Sequence, residues 1–166
     1  IAITSKKNIS LLGVENLIVI ETMDSVLVAN KNDAQSIKEL VKLLEKNHQK
    51  LLDEHTRVNR PWGWFETIDE GKEFKVKRIQ VNPGAKLSYQ SHNFRNEHWV
   101  VINGRATIIH NGKKMTLERD QSTYIKSEAK HQLINLEEDD LVIIEVQTGS
   151  KVDEDDITRY EDIYGR

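Results

Sequence analysis

A mainly β protein, built as an antiparallel sandwich or barrel, is the fold class that the sequence predicts. After residue 60, about nine short runs rich in branched and aromatic residues follow one another. Turn signals separate these runs every ~8–12 residues, a spacing typical of antiparallel β proteins. Among these signals, Asn111-Gly112 is the strongest marker of a tight hairpin.

The composition is typical of a soluble globular protein, with 37% hydrophobic and 31% charged residues among 166. The net charge of -3 is small, and acidic and basic residues are interspersed, so no nucleic-acid partner is expected. No apolar run approaches the roughly 18 residues of a membrane span, so no membrane partner is expected either. Cysteine is absent, which excludes disulfides and thiolate zinc sites and fits a reducing compartment. We therefore expect a cytoplasmic protein.

The chain is expected to be a fragment of a longer protein and to contain two regions. It begins Ile-Ala-Ile, without Met. Residues 1–50 predict an extension of two or three strands and one helix, and residues 51–166 predict the β domain. In the extension, apolar residues at helical spacing from Ile37 to Leu44 predict the helix. Asn32 with Gln35 predicts a capping box at its start.

Two further patterns concern the β domain. The stretch GKEFKVKRIQV alternates apolar Phe74, Val76 and Ile79 with charged residues, as in a half-buried strand. The end of the chain, residues 149–166, is acidic and polar with a few apolar residues at partly helical spacing. It predicts an irregular or single-turn tail that packs back on the β domain.

Four side chains of metal-ligand types form the candidate site: Gln90, His92, Glu97 and His131. Gln90 and His92 are two residues apart, so on a β-strand both point to one face. Residues 93–96 are mostly polar and are expected to form a hairpin turn, which would place Glu97 close to His92. Nitrogen and oxygen donors suit Zn, Mn, Fe(II), Co or Ni, and the ligand types alone do not choose among them. A structural zinc site would more often use cysteine, so the pattern favours a catalytic metal.

Other residues of similar type are expected to have structural roles. His48 and His55 lie in a polar segment and predict surface or capping histidines. His98 follows Glu97 and is expected on the opposite face of its strand. The tryptophans are expected in the core or at an interface: Trp62, Trp64 and Trp99.

The spacing of the ligand-type residues resembles the first motif of the cupin superfamily. That motif is a Gly, five residues, His-x-His, three or four residues, Glu, six residues and Gly. Here Gly84, Gln90, His92, Glu97 and Gly104 meet every spacing, with Gln90 in place of the first His. The resemblance implies a cupin barrel, a double-stranded β-helix or jelly roll, preceded by the N-terminal strand-plus-helix extension.

The second cupin motif is only partly present. His131 and Asn135 stand at the right spacing. Asp120, Lys126 and Glu128 occupy the positions where Gly, Pro and Gly are usual. The sequence therefore keeps the ligand and leaves the conformation of the turns open.

Longer stretches narrow the resemblance. Residues 60–66, 83–106 and 143–166 resemble the C-terminal part of the type II phosphomannose isomerase/mannose-1-phosphate guanylyltransferase family, and 15–44 resembles its interdomain segment. In that family Gln occupies the first ligand position, as Gln90 does here. The family's Gly-rich nucleotide loop and Glu-Lys-Pro motif are not in this sequence, so guanylyltransferase activity is not expected of it.

The resemblance implies a metal-dependent isomerase domain that converts mannose 6-phosphate to fructose 6-phosphate through a cis-enediol. Its parent would be a bifunctional enzyme of GDP-mannose and polysaccharide biosynthesis. A divalent metal is implied, zinc first, with Mn, Co, Ni or Fe as alternatives. The implied partner is a small-molecule sugar phosphate.

Arginine suits the substrate phosphate because its planar fork matches phosphate oxygens. Arg95 is the first candidate, since the family's matching Arg is associated with isomerase activity, and Arg60 and Arg159 follow. The catalytic candidates are Arg95, Glu97 and Lys86. Tyr89 is a further candidate base, although it should face away from Gln90.

Two other functions compete with the isomerase. One is a non-catalytic cupin that senses sugar phosphate or dimerises a guanylyltransferase. The other is a metal oxygenase, because His92, Glu97 and His131 also form a two-His-one-carboxylate set. Exposed strand edges would allow a homodimer, but no residue reports the oligomeric state.

Overall fold

The computed structural model divides the chain into two units, Ile1–Thr56 and Arg57–Arg166. It describes residues 1–4, 8–22, 25–47, 57–161 and 163–165. His48 and His55 lie outside the described residues, so their predicted roles stay predictions. Within the described ranges, no helix has the length and apolarity that a bilayer crossing requires.

The described residues of the first unit form a three-stranded sheet and one α-helix. Strand β2 (Leu17–Glu21) lies between β1 (Ala2–Ile3), which runs parallel to it, and β3 (Val26–Asn30), which runs antiparallel. A 3-10 helix (Lys31–Ser36) then leads into α1 (Ile37–Asn47). The strands and the helix that the sequence predicts for this region are present.

The predicted capping box at Asn32 is wrong. The side chain of Asn30 accepts a hydrogen bond from the Asn32 amide at 2.9 Å, while Asn30 itself has extended backbone angles. Asn30 is therefore the N-cap. The helical segment begins two residues earlier than predicted because a 3-10 turn precedes the α-helix.

The second unit is an all-β domain in which every strand pairing is antiparallel. Its strands are β4 (Arg57–Arg60), β5 (Gly63–Gly71), β6 (Phe74–Val81), β7 (Tyr89–His92), β8 (Arg95–Asn103), β9 (Ala106–His110), β10 (Lys113–Leu117), β11 (Ser122–Ile125), β12 (His131–Ile134), β13 (Leu141–Gly149) and β14 (Ile157–Glu161). One sheet has the order β10-β9-β12-β7-β14, and the other has the order β11-β8-β13-β6-β5-β4. The class predicted from the sequence, a mainly β protein built as an antiparallel sandwich or barrel, is confirmed.

One apolar cluster fills the space between these two sheets. Ile108 and Leu133 of the five-stranded sheet are fully buried in it, as are Val101 and Ile143 of the six-stranded sheet. The predicted hairpin at Asn111-Gly112 joins β9 to β10, and both residues have the positive φ of a type I′ turn.

The predicted hairpin at residues 93–96 is wrong. Strand β7 pairs with β12 and β14, whereas β8 pairs with β11 and β13, so the two consecutive strands belong to opposite sheets. The loop between them crosses the end of the barrel. His92 and Glu97 thus approach each other across the interior, not along a shared ladder.

The tail also differs from the prediction. After a 3-10 turn (Glu154–Asp156), residues 157–161 form β14 and pair with β7. The buried Asp156 carboxylate accepts hydrogen bonds from the amides of Asn93 and Phe94, both at 3.1 Å. The tail therefore holds the crossing loop in place, because these amides have no strand partner to satisfy them.

Strand β6 does not bury Phe74 and Val76 on the same face as Ile79, although the sequence pattern groups the three. Lys75 and Lys77 are buried with Ile79 and Val81, while Phe74 is exposed. Strand alternation places these four residues on the inner face. The buried lysines are stabilised by ion pairs, Lys75 with Glu70 and Lys77 with Glu154.

The turns that lack the usual glycines keep a left-handed backbone. Asp120 has a φ of 66° and Glu128 a φ of 68°, at the two positions where cupins usually carry glycine. A residue with a Cβ pays about 1–2 kcal/mol in this region. The Glu128 amide nevertheless donates to the His92 carbonyl at 2.6 Å, which fixes the turn beside β7.

We expect Glu128→Gly to raise the free energy of unfolding by about 0.5–1 kcal/mol. Glycine relieves the left-handed strain but adds entropy to the unfolded chain, so only part of the strain is recovered. Urea unfolding of the variant and the wild type measures the difference. The matched control is Glu138→Gly at an exposed bend without positive φ, which should lower stability; equal effects of the two changes would contradict the account.

Candidate metal centre

Two histidines and one glutamate meet inside the barrel, and their ligand atoms all lie within 4.8 Å of one another. His92 on β7 and His131 on β12 come from the five-stranded sheet, and Glu97 on β8 comes from the opposite sheet. All three side chains are at most 2% exposed. The cluster therefore lies on the inner faces of both sheets, closed off from bulk water.

The Glu97 carboxylate stands between the two imidazoles. Its Oε1 is 3.1 Å from His92 Nε2, and its Oε2 is 3.5 Å from His131 Nε2. His131 Nδ1 lies 2.9 Å from the Ala129 carbonyl oxygen. Because a carbonyl can only accept, Nδ1 carries a proton there, and the neutral ring presents a lone pair at Nε2.

This arrangement fits a divalent metal. In the described part of the chain, the buried His131 Nε2 and His92 Nδ1 have no hydrogen-bond partner. A buried polar nitrogen without a partner costs about 1–3 kcal/mol, so such atoms usually mark an ion, a water or a function. Two imidazoles and a carboxylate are a donor set that suits zinc and its first-row neighbours.

The electrostatics of the cluster favour an ionised carboxylate. Burial raises the pKa of Glu97, but the His131 and His92 imidazoles beside the carboxylate outweigh burial and hold this pKa well below the usual value. Burial lowers the pKa of His131, and the Glu97 carboxylate more than reverses that, so the net shift is upward. Glu97 therefore stays charged at neutral pH and can act as a ligand.

Three donors orient the Glu97 carboxylate from its own sheet. Arg95 Nε and Gln147 Nε2 donate to Oε1 at 3.1 and 3.2 Å, and Trp99 Nε1 donates to Oε2 at 3.2 Å. Arg95 also donates to the Asp153 carbonyl at 2.8 Å and is only 2% exposed. Hydrogen bonds of this kind fix ligand orientation in metal sites.

Gln90 lies beside the cluster on β7. It stands directly opposite His131 of β12 and Arg159 of β14 in the two strand pairings. Its Oε1 accepts a hydrogen bond from Ser88 Oγ at 2.8 Å. The alternation that places Gln90 on the face of His92 is therefore present, and its role as a fourth ligand remains a proposal.

An open pocket of about 500 Å³, part of it open to solvent, adjoins the cluster. Arg95 and Gln147 line this pocket and also hold Glu97, so they connect the two. Its other lining residues are Arg60, Trp62, Phe65, Lys77, Ile79, Leu87, Ser88, Gln90, Glu145, Glu154, Ile157 and Arg159. Four cationic side chains against two carboxylates make the pocket suited to an anion.

The other sequence candidates divide between pocket and surface. Arg60 is half-buried, with its guanidinium 5.5 Å from the Phe65 ring centre, and Arg159 is exposed at the edge strand. Both line the pocket. Lys86 pairs with Glu161 at 3.3 Å and is not among the lining residues. The position of Lys86 therefore does not support its predicted catalytic role.

The aromatic residues lie where alternation places them. Tyr89 packs on Tyr160, away from Gln90, and exposed His98 packs edge-on against Tyr124 with ring centres 4.7 Å apart. Trp62 and Trp99 belong to the buried cluster and are 4% and 2% exposed. Trp64 is half-buried and lies under the Arg57 guanidinium.

Sequence reasoning missed Lys77 and Glu145. Lys77 forms an ion pair with Glu154 at the pocket, and buried Glu145 faces the same space from β13. The sequence does contain a signal for such residues: a charged residue two or four positions from apolar residues of the same strand is expected on their buried face. In LVIIEVQT, Glu145 falls in phase with Leu141 and Ile143, which are both core.

Two family models match the chain. Residues 47–162 match "Mannose-6-phosphate isomerase C-terminal", and residues 1–44 match "MannoseP isomerase/GMP-like beta-helix domain".

Curated relatives align along almost the entire chain. It is 44% identical over 160 residues to alginate biosynthesis protein AlgA of Pseudomonas putida, covering 96% of this chain and 33% of that protein. It is 44% identical over 158 residues to xanthan biosynthesis protein XanB of Xanthomonas campestris, covering 95% and 34%. A mannose-1-phosphate guanylyltransferase of Klebsiella pneumoniae is 39% identical over 163 residues, covering 98% and 35%. The chain thus spans about a third of the length of these relatives.

Solved structures share the fold at low sequence identity. KdgF from Halomonas sp. has a TM-score of 0.54 at 16% identity, covering 66% of this chain and 93% of that one. A Klebsiella pneumoniae protein with a double-stranded β-helix domain has a TM-score of 0.53 at 16% identity, covering 66% and 89%. These structures show the double-stranded β-helix fold, and the match over residues 47–162 shows that the chain belongs to the mannose-6-phosphate isomerase C-terminal family.

Proposed function

We propose that this chain is a metal-dependent mannose-6-phosphate isomerase domain that interconverts mannose 6-phosphate and fructose 6-phosphate. The observation that carries the proposal is a cationic pocket beside a buried His-Glu-His cluster, in a chain of this family. The parent protein would be a bifunctional isomerase and guanylyltransferase that supplies GDP-mannose for polysaccharide synthesis.

His92, Glu97 and His131 would hold the metal, and Gln90 would complete the set from the neighbouring position. Zinc is the proposed metal, with Mn, Co, Ni or Fe able to use the same donors. When bound, a divalent metal supplies Lewis-acid stabilisation of the negative charge that develops on the sugar oxygens, amounting to several kcal/mol. The protein's part is to keep Glu97 ionised and fixed through Arg95 and the other donors.

The substrate phosphate would be held by Arg60 and Arg159 at the pocket wall. Both side chains line the pocket, and Arg159 lies across from Gln90, next to the proposed metal. Arg95 has two of its nitrogens engaged by Glu97 and Asp153, which supports a positioning role for it beside the phosphate arginines. Holding the phosphate at one end fixes the distance of the reacting carbons from the metal.

Removing the metal is expected to abolish isomerisation, because nothing else in the pocket can stabilise the enediolate as strongly. The chain is stripped with a chelator, reloaded with Zn, Co or Mn, and assayed for fructose 6-phosphate formation from mannose 6-phosphate. Activity should return with at least one metal. A folded, reloaded chain that binds mannose 6-phosphate without converting it would instead support the non-catalytic alternative.

His131→Ala is expected to weaken metal affinity by at least about 100-fold, since loss of a ligand costs more than loss of an outer partner. Metal content after dialysis measures the effect. The matched control is His98→Ala on the outer face of β8, which should retain the metal. Equal metal content in the two variants would contradict the assigned ligand set.

Arg159→Ala is expected to raise KM for mannose 6-phosphate about tenfold and to leave metal content unchanged, because one charge-assisted hydrogen bond contributes about 1.5–3 kcal/mol. Steady-state kinetics with a metal assay checks both. The control is Arg119→Ala, an exposed arginine that does not line the pocket. An unchanged KM for Arg159→Ala would remove Arg159 from the phosphate site.

A further inference from the structure

We propose that Glu145 is the general base that carries the proton between C2 and C1 of the sugar. This role rests on the isomerase function proposed above and names the group that moves the proton.

The position of Glu145 is fixed by the six-stranded sheet. It lies on β13, directly opposite Lys77 of β6 and Trp99 of β8, and its side chain faces inward with 5% exposure. It lines the same pocket as Arg60 and Arg159. A carboxylate on a central strand of a sheet is held more rigidly than one on a loop, which suits a group that must meet a carbon-bound proton.

The two oxygens of Glu145 differ in their surroundings. Gln147 Nε2 donates to Oε1 at 2.8 Å and also to Glu97 Oε1 at 3.2 Å, so Gln147 ties Glu145 to the proposed metal ligand. For Oε2, the structure contains no hydrogen bond in the ranges it describes. One oxygen is thus anchored, and the other has a lone pair available for a proton.

The other acidic candidates are less suited to this task. Both oxygens of Glu97 are occupied by donors, and its pKa is held low by the histidines after their effect overcomes burial. Glu154 is paired with Lys77; burial raises the Glu154 pKa, but the charge and hydrogen bond of Lys77, together with the charges of Arg95 and Lys75, outweigh burial and lower it. Lys86 and Tyr89 do not line the pocket. Among the described acids of the pocket, Glu145 alone combines position with a raised pKa.

Burial and the charge of Glu97 raise the pKa of the Glu145 carboxyl to about 7, against the opposing charges of Lys77 and Arg95. A base with a pKa near the working pH is the most effective in proton transfer. The charged groups that act on Glu145 from the surrounding elements are Lys77, Arg95, Glu97, His131 and Glu154.

The proton transfer balances without a further reactant. The Glu145 carboxylate takes the proton from C2 of the open-chain aldose, the C2–H electron pair forms the C1=C2 bond, and the carbonyl pair moves to O1, which gains a proton from water. This gives the cis-enediol. Glu145 then returns its proton to C1, where the C1=C2 electron pair forms the new C–H bond, while O2 gives its proton to the hydroxide left in the first half and becomes the carbonyl of the ketose.

The test compares the metal-loaded wild-type chain with Glu145→Gln, which keeps shape and the bond to Gln147 but cannot accept the proton. We expect kcat to fall about 10²–10⁴-fold, with KM and metal content near those of the wild type. Glu145→Asp, which keeps a shortened carboxylate, should retain more kcat than Glu145→Gln. The matched control is Glu118→Gln, an exposed carboxylate paired only with Arg105 among its described contacts, which should keep wild-type kcat.

Two readouts separate a base from a structural carboxylate. The kcat/KM profile of the wild type should fall toward acid pH as Glu145 becomes protonated, and an infrared band of a protonated carboxyl should titrate with it and be missing in Glu145→Gln. The variant should also unfold at a higher temperature than the wild type at pH 8, with the difference fading toward pH 5. The reason is that the pKa of Glu145 is higher in the folded state than in the unfolded state, so ionisation of Glu145 destabilises the fold. This destabilisation grows as pH rises from the unfolded-state pKa toward the folded-state pKa.

The outcomes are distinguishable. An active wild type with a Glu145→Gln variant whose kcat stays within about threefold overturns the role of Glu145 alone. A loss of kcat that follows a loss of bound metal overturns it as well. So does a Glu145→Asp variant whose kcat is no higher than that of Glu145→Gln, when the carboxyl band is still present in Glu145→Gln. A folded, metal-loaded wild type without isomerase activity overturns the proposed function and this role together.

Discussion

The rest of the site depends on one buried charge, the ionised carboxylate of Glu97 between two opposite sheets. A charge in this position is costly unless it is paired and hydrogen-bonded. The structure meets that condition from both sides: Arg95, Gln147 and Trp99 donate from the same sheet, and the two imidazoles face it from the other sheet. Without these partners the carboxylate would be protonated or the barrel end would open.

The need to satisfy Glu97 explains why the barrel interior is divided along its strands. At one end the inward side chains are apolar, as with Val81, Val101 and Leu141, and they provide the hydrophobic stability of the domain. At the other end the same strands turn Lys77 and Glu145 inward. The charged residues of the proposed site thus occupy one half of the barrel interior. The apolar half packs the same strands together and so fixes their positions.

Much of this could be predicted from local pattern. The resemblance to the two cupin motifs indicated that His92, Glu97 and His131 come together, as they do in the structure. Turn spacing indicated the β class, and Asn111-Gly112 indicated a hairpin. Such features depend on periodicity and turn chemistry, which a single sequence records directly.

The remainder depends on tertiary context. A gap of four residues between His92 and Glu97 fits a hairpin as well as a crossing between sheets, and only the pairing of distant strands decides. Lys77 shares the inner face of its strand with Ile79 and Val81, and the charged neighbours that accept it there, Glu145 and Glu154, are far away in sequence. The left-handed turn at Glu128 likewise persists without glycine because the surrounding strands hold it.

The most direct measurement is a crystal structure of the metal-loaded chain with a stable enediol-phosphate analogue, with the metal located by its anomalous signal. The account predicts the metal at His92, Glu97 and His131, the phosphate at Arg60 and Arg159, and Glu145 Oε2 within hydrogen-bond reach of the carbons that exchange the proton or of their immediate neighbours. A metal bound elsewhere, or an analogue whose reacting end lies away from Glu145, would contradict it.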